Sequence, residues 1–448
     1  MKSNNKDLVL QDRNMWTLLL IVETICLIVL LKSVWLSLLF ALALIAAFYL
    51  LKNPELGLAY ALTGNILLTM FFDRAQFQIP LPALLSFLAI LLVALLIFLF
   101  KEGISFPERW PPPLIWTVAL LALLIVGVYY SPDKAYASRK VVFFVLNNLV
   151  LLVYPIFVFR NQIIFPRLLK FGFYFGIFLA LITSWQAMGA PAYVRFSPSE
   201  NVNPIWFARS LGISALCGIF VLTQTRNRVA QSLILMALLI FLFPLSRSWS
   251  RAPLLGLFGA ILLFYYLQPW QSIRKKFLVS IPVLVGGLVL LLKSSTEFAA
   301  RLNTPLTQEI SAAFRFIAWW KGLQDFLSHP LTGIGTGGFS MEVLFTNPPL
   351  IFKYCHNLFL EVAGENGILG LVILVAFLGT VMRIGYLTIK HFKQTSNHVY
   401  LQASITLMVI FIYSVWNSMF SGDITTNEII WFSGGMIYAL YLSCSRLE

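Results

Sequence analysis

Apolar residues along this chain fall in unbroken runs of membrane length, separated by short polar or basic breaks. Candidate spans lie at about 15–31, 34–51, 56–72, 82–100, 112–130, 139–159, 168–188, 205–224, 229–245, 252–268, 276–292, 357–382, 399–420 and 428–444. A helix needs roughly 20 apolar residues to cross a bilayer, and these runs approach or reach that length. Backbone groups in hydrocarbon must be satisfied internally, which leaves helices or a closed barrel. A barrel would show alternating segments of about ten residues, and these runs do not alternate. The pattern therefore predicts an all-α, polytopic transmembrane helical bundle of 12–14 spans. Only Lys32-Ser33 separates the first two runs. Read as one helix they would be about 55 Å long, too long for a core of about 30 Å, so a tight hairpin is expected there.

Charge placement sets the expected orientation. Lys2, Lys6, Arg13, Arg160, Arg167, Lys170, Arg226, Arg228, Arg274, Lys275, Lys276, Arg383, Lys390 and Lys393 all fall on one side when the spans are counted from the N-terminus. The positive-inside rule makes that side cytoplasmic, with both termini on it and the long loop 293–355 outside. We expect one membrane domain, 1–448, with no cleavable signal peptide: the N-terminus is polar through Asn14 and leads into span after span without a small-residue cleavage site.

Composition agrees with lipid as the solvent, being 59% apolar and 11% charged. A soluble protein carries more than twice that share of charge. The net charge of +14 sits mostly in the inner segments, so it speaks for membrane lipids as partners and not for nucleic acid. Cys26, Cys217 and Cys444 lie in apolar spans and Cys355 stands alone, which does not make a disulfide framework. No His, Cys or carboxylate spacing reads as a metal site.

Within the long loop, 310–327 has helical spacing of Phe314, Ile317, Ala318, Gly322 and Phe326, which predicts an amphipathic helix on the outer interface. It ends at Ser328-His329-Pro330, before the turn Gly333-Ile334-Gly335-Thr336-Gly337-Gly338. That glycine run is either a plain turn or a nest of N–H groups suited to phosphate. Glu23 is the clear ionisable residue at mid-membrane, where a buried charge is costly. The outer helix ends carry a denser set: Asp73-Arg74, Asn201, Asn203-Pro204, Arg209, the segment Ser246-Arg247-Ser248-Trp249-Ser250-Arg251, Arg315, His356-Asn357, Glu361 and Glu365. Arginines converging there suit a phosphorylated, membrane-tethered substrate, because the guanidinium fork matches phosphate oxygens. Each has a plainer reading too. Arg247 and Arg251 could snorkel, and Glu361 and Glu365 are an i,i+4 pair that could serve helix packing. Cys355 and His356, as chain neighbours, do not make a nucleophile pair.

The C-terminal half resembles the O-antigen ligase and O-antigen polymerase superfamily of bacterial envelope glycosyltransferases. The resemblance covers about 200–385. It rests on Ser246-Arg247 through Arg251, Arg315 with Trp319, His329-Pro330-Leu331-Thr332-Gly333-Ile334-Gly335, His356-Asn357-Leu358-Phe359-Leu360 and Gly364-Glu365-Asn366-Gly367-Ile368-Leu369-Gly370. Asn201-Val202-Asn203-Pro204 is similar to an upstream element of the family. The resemblance implies an inner-membrane enzyme working at the periplasmic face. Its donor would be a glycan on undecaprenyl diphosphate. Its acceptor would be lipid A–core in a ligase, or another lipid-linked glycan in a polymerase. It implies no nucleotide sugar, metal or other cofactor. His356 takes the general-base role and Arg315 that of one catalytic arginine. The other is Arg247 or Arg251, the double-arginine segment leaving the register open, with Arg251 set in the catalytic role and Arg247 among the substrate contacts with Arg74, Asn203, Asn357 and Glu365. An anion transporter is the reading from another class, and it would place charges along a transbilayer path.

Overall fold

The computed structural model describes residues 110–159, 161–191, 195–198, 202–269, 286, 310–343 and 350–445. The described residues lie in one compact unit. The expected spans before residue 110 and the one at 276–292 fall outside them, as do Glu23, Arg74 and Asn201.

Helices dominate. They are α1 (Pro112–Tyr130), α2 (Lys134–Phe143), α3 (Val150–Val158), α4 (Ile164–Gly189), α5 (Pro204–Gln224), α6 (Arg228–Arg247), α7 (Arg251–Tyr266), α8 (Ile310–Ser328), α9 (Leu358–Gln394), α10 (His398–Ser418) and α11 (Glu428–Ser445). Among the described residues seven helices are long and apolar enough to cross a membrane, with α7 and α11 apolar but shorter. The α1 bounds coincide with the expected 112–130. Two other expected bounds move: 139–159 begins earlier, at Lys134, and 357–382 extends to Gln394. The first shift moves Lys140 from the edge of the expected span to its interior.

Local chemistry sets the helix starts. Asp133, Asn203, Asn227, Asn357 and Asn397 each cap a helix by accepting from a backbone N–H of its first turn. Pro112 and Pro204 occupy first-turn positions where a missing N–H costs nothing. Between α2 and α3 the chain runs as a π-helical segment, Phe144–Leu149. Its amides reach across to the turn before α11: Asn147 Nδ2 donates to the Thr425 carbonyl and Asn148 Nδ2 to that of Ile424. One extra residue per turn rotates both amides onto that face.

Helices α5 and α10 are the most enclosed spans. Small residues let backbones approach: Gly176 of α4 meets Ser214 of α5, and Gly212 of α5 meets Tyr413 of α10. Other faces stay apolar and uncovered, with Ile115, Val118 and Ile125 on α1 and Leu255, Phe258 and Leu262 on α7. Such faces suit acyl chains.

The loop helix α8 matches the expected amphipathic helix to within a residue. Ala318 is fully buried with Phe339, Met341 and Cys355, against Phe314, Phe352 and Leu360. Phe316, Ile317, Trp320 and Leu327 remain exposed, so Ile317 belongs to the outer face and not to the packed stripe. A small antiparallel hairpin, β1 (Met341–Val343) with β2 (Leu350–Phe352), pairs Met341 with Phe352 and leads directly to His356. No strand was expected there.

Helix α9 is broken at Gly367, whose φ of 66° and ψ of −163° are not helical. The break turns the Gly364 and Glu365 carbonyls outward to accept from the Ile334 and Gly335 N–H groups, while Ile368 N–H donates to the Pro330 carbonyl. A non-helical backbone at membrane depth is tolerated where protein satisfies it, and the glycine turn does so here. A Cβ at Gly367 would strike the Leu331 carbonyl and the Thr332 nitrogen. We therefore expect Gly367→Ala to destabilise the protein by about 1–3 kcal/mol through a left-handed backbone plus a clash. Thermal unfolding in detergent measures it, and an unchanged midpoint would refute this account of the break.

Candidate functional site

The densest polar cluster forms where α2, α9, the glycine turn and the turn before α11 meet. Glu361 and Glu365 stand one turn apart on α9, and Lys140 of α2 reaches both. Its Nζ lies 2.5 Å from Glu361 Oε1 and 2.7 Å from Glu365 Oε2, with all three side chains almost wholly buried. Glu365 Oε2 also accepts from the Gly337 N–H at 2.8 Å, and Glu361 Oε1 from the Ile424 N–H at 3.3 Å. A buried carboxylate needs such partners. The glycine turn is a nest of N–H groups, and the anion it receives is the protein's own Glu365. The other N–H groups of the turn go to the His329, Gly364, Glu365, Gly127 and Gly335 carbonyls, so the turn does not present an open phosphate cradle.

One turn before Glu361 lies His356. Its backbone is left-handed, φ 58°, which is uncommon for a residue with a Cβ. The ring sits 4.4 Å from that of Tyr354 and 5.9 Å from that of Phe352. Nδ1 is buried without a hydrogen-bond partner among the described residues. Burial, and then the positive charge of Arg315, push the imidazole down to about 4. Burial raises the Tyr354 phenol, with Asp423 and Glu361 adding to the effect. It also raises the Cys355 thiol, whose Sγ donates to the Asn357 carbonyl. A buried, protonated thiol is no nucleophile. The segment is fastened upstream by Lys353, paired with Asp133 at 3.2 Å. That pairing and the Tyr136 N–H, the larger effect, hold the Asp133 carboxyl below its ordinary value.

The sequence-identified residues divide by what they touch. Arg315, half-buried on α8, acts electrostatically on His356, Tyr354 and Arg209. Asn357 caps α9 through Phe359 and Leu360, and Asn203 caps α5 through Ile205. Arg247, at the end of α6, is buried, and its Nη2 donates to the Ala190 and Pro191 carbonyls. Arg251, half-buried, opens α7 four residues on. Between them Trp249 is left-handed, φ 51°.

Three residues were missed or passed over. Lys140 is the counter-ion of the two glutamates, more than 220 positions away in sequence. The Glu361/Glu365 spacing was the half of that triad a reader could find. Arg195 braces the α6–α7 turn, donating to the Ser248 carbonyl and to Ser250 Oγ. Arg209 donates to Asn427 Oδ1 and to the Asn417 and Ser421 carbonyls. Among the described residues no group of three His, Cys, Asp or Glu side chains converges as a metal site.

Long apolar helices and polar groups gathered at helix ends define a multi-pass membrane protein with its chemistry beside a loop helix. Residues 211–375 match the family model described as O-antigen ligase. The matched stretch runs from within α5 to within α9. It contains Arg247, Arg251, Arg315, His356, Asn357 and Glu365, and supports a membrane enzyme of the ligase and polymerase type. None of the curated proteins compared matches the chain.

Removing Lys140 leaves two buried carboxylates against each other. We predict that Lys140→Met lowers stability by about 3–5 kcal/mol, as when one partner of a buried pair is lost. Adding Glu361→Gln and Glu365→Gln to it should restore most of that. Thermal unfolding of the single and triple variants checks this. A single variant as stable as the parent would remove the triad from its structural role.

Proposed function

We propose that this protein transfers a glycan from undecaprenyl diphosphate to lipid A–core at the periplasmic face of the inner membrane. The observation that carries the reading is His356: a half-buried imidazole, neutral at ordinary pH, whose buried Nδ1 has no partner among the described residues, within electrostatic reach of Arg315 and inside the matched stretch.

A sugar hydroxyl is a poor nucleophile at neutral pH, so a base within hydrogen-bond reach helps. In the proposed step the acceptor oxygen attacks the anomeric carbon of the donor sugar, and its proton passes to the His356 imidazole. The bond between that carbon and the diphosphate oxygen breaks, and the diphosphate leaves with the electron pair. Direct displacement inverts the anomeric centre. Arg315 and Arg251 meet the charge that grows on the leaving group, and fixed guanidinium groups in a dry site do so effectively. The bound diphosphate also offsets the charge of Arg315 felt by His356, which raises the basicity of the imidazole in the complex. Arg247, whose Nη2 donates to backbone carbonyls, is kept as a proposed substrate contact. Glu365 and Asn357 act through position, one on the glycine turn and one on the head of α9. Arg74 and Asn203 remain proposed substrate contacts, and one membrane domain of 12–14 spans with both termini cytoplasmic remains the proposed topology.

A polymerase would use the same site with a second lipid-linked glycan as acceptor. Purified protein given the glycosylated carrier and either acceptor distinguishes the two by its product. Failure to transfer to either acceptor would revive the anion-transport reading.

His356→Ala should abolish transfer while the protein still assembles in the membrane, and near-normal transfer would overturn the base assignment. Arg315→Lys keeps the charge but loses the fork, so kcat should fall by about 100-fold.

The pH dependence has a defined sign. Because the folded imidazole sits near 4, below the free value of about 6.5, the neutral base persists to low pH. The acid limb of kcat/KM for the free enzyme should therefore lie near 4, and Arg315→Gln should move it upward. Stability should fall as pH drops from about 6.5 towards 4, where only the unfolded chain takes up the proton. A limb at the free imidazole value in the parent protein would argue against the burial described above.

A further inference from the structure

Beside the His356 site lies a second group of buried polar atoms that the proposed step does not use. Arg209 stands one turn into α5 and spends Nη1 and Nη2 on Asn427, Asn417 and Ser421. Its Nε is buried with no partner among the described residues, as are Asn417 Oδ1 and Ser421 Oγ on the residues it binds. Asn417 and Ser421 are themselves almost fully buried. The Asn417 amide is oriented by its own bond, Nδ2 donating to the Tyr413 carbonyl, so Oδ1 is the end left open. Buried polar atoms are normally satisfied, and three left open on hydrogen-bonded neighbours call for an occupant.

An aromatic wall adjoins them. Phe420, between Asn417 and Ser421 in the chain, lies 6.0 Å from Trp319 of α8 and 5.1 Å from Trp416. Trp319 Nε1 is also buried and unpartnered. The open atoms are therefore two donors, one acceptor and one hydroxyl that does both. Phosphate offers only acceptors and leaves Asn417 Oδ1 unmet. A lipid tail meets none of them. A sugar ring presents hydroxyls that donate and accept, and an apolar C–H face that packs on an aromatic ring.

We propose that Arg209, Asn417, Ser421 and Trp319 form a saccharide subsite that holds the donor sugar attached to the diphosphate. Arg209 lies within electrostatic reach of Arg315, so this group is near a diphosphate held at Arg315. The assignment rests on the glycan-transfer reading above.

The test uses purified full-length protein in nanodiscs and two probes: a short-chain polyprenyl diphosphate carrying one sugar, and the same carrier without it. Calorimetry gives the affinity for each. The parent protein should bind the glycosylated carrier more tightly. Trp319→Leu and Asn417→Leu should each weaken that binding by about tenfold, the size of one lost buried contact, and leave the bare carrier within about twofold. Trp319→Phe, which keeps the ring face and loses the N–H, should fall between. Binding of the bare carrier reports folding, and if Asn417→Leu binds neither probe the decision passes to the two Trp319 variants. Equal loss on both carriers, or no loss on either, overturns the subsite while the transfer reading stands. A parent protein that binds neither carrier overturns both.

Discussion

Lys140 between Glu361 and Glu365 is the contact on which the rest of this site depends. Two carboxylates one turn apart on a helix repel each other, and away from water the repulsion is barely screened. A single ammonium from α2 makes the pair tolerable, and the Gly337 and Ile424 N–H groups take up more of the charge. That arrangement commits four segments at once: the last turn of α2, the head of α9, the glycine turn and the turn before α11. His356 sits at the head of the same helix, so its place is set by a charge balance several residues away. Losing one member of a buried pair costs about 3–5 kcal/mol, against about 5–15 kcal/mol for a whole fold.

The glycine turn and the broken helix solve each other's problem. Interrupting α9 at Gly367 frees carbonyls that lipid would not satisfy, and the turn at 333–338 supplies the N–H groups they need. In exchange the turn receives a carboxylate at Gly337. The segment that follows α8 is thereby anchored to α9 twice, once at Gly333–Gly338 and once where the chain passes through His356 into the helix.

Lipid makes helices legible. A run such as 112–130 has few alternatives once water is excluded, and α1 follows it residue for residue. The amphipathic stripe of α8 was readable for the same reason, since its spacing is local. Caps at Asn203 and Asn357 are local as well, although both residues had been read as substrate contacts. What stayed hidden is long-range. Arg139-Lys140 at the edge of a span looks like a snorkelling pair, and nothing nearby says that Lys140 turns inward to meet glutamates on another helix. The π-helical turn at Phe144–Leu149 has no sequence signature; its reason is the carbonyls of Ile424 and Thr425, far along the chain. Arg209 was noticed as a charge, but its meaning lies in neighbours on α10 and in the turn after it. Arg247 and Arg251 look alike in the sequence, and nothing near Arg247 in the chain says that the Ala190 and Pro191 carbonyls accept from it.

The left-handed backbone at His356 has a wider consequence. A residue with a Cβ held at positive φ carries strain of order 1 kcal/mol or more, and glycine would relieve it. Selection for robustness alone would thus favour erasing the imidazole, and the base role proposed for it would favour keeping it. The position marks where the two pressures oppose each other most directly. A lineage released from the need to transfer glycans would be expected to lose this histidine early, and to become sturdier by doing so.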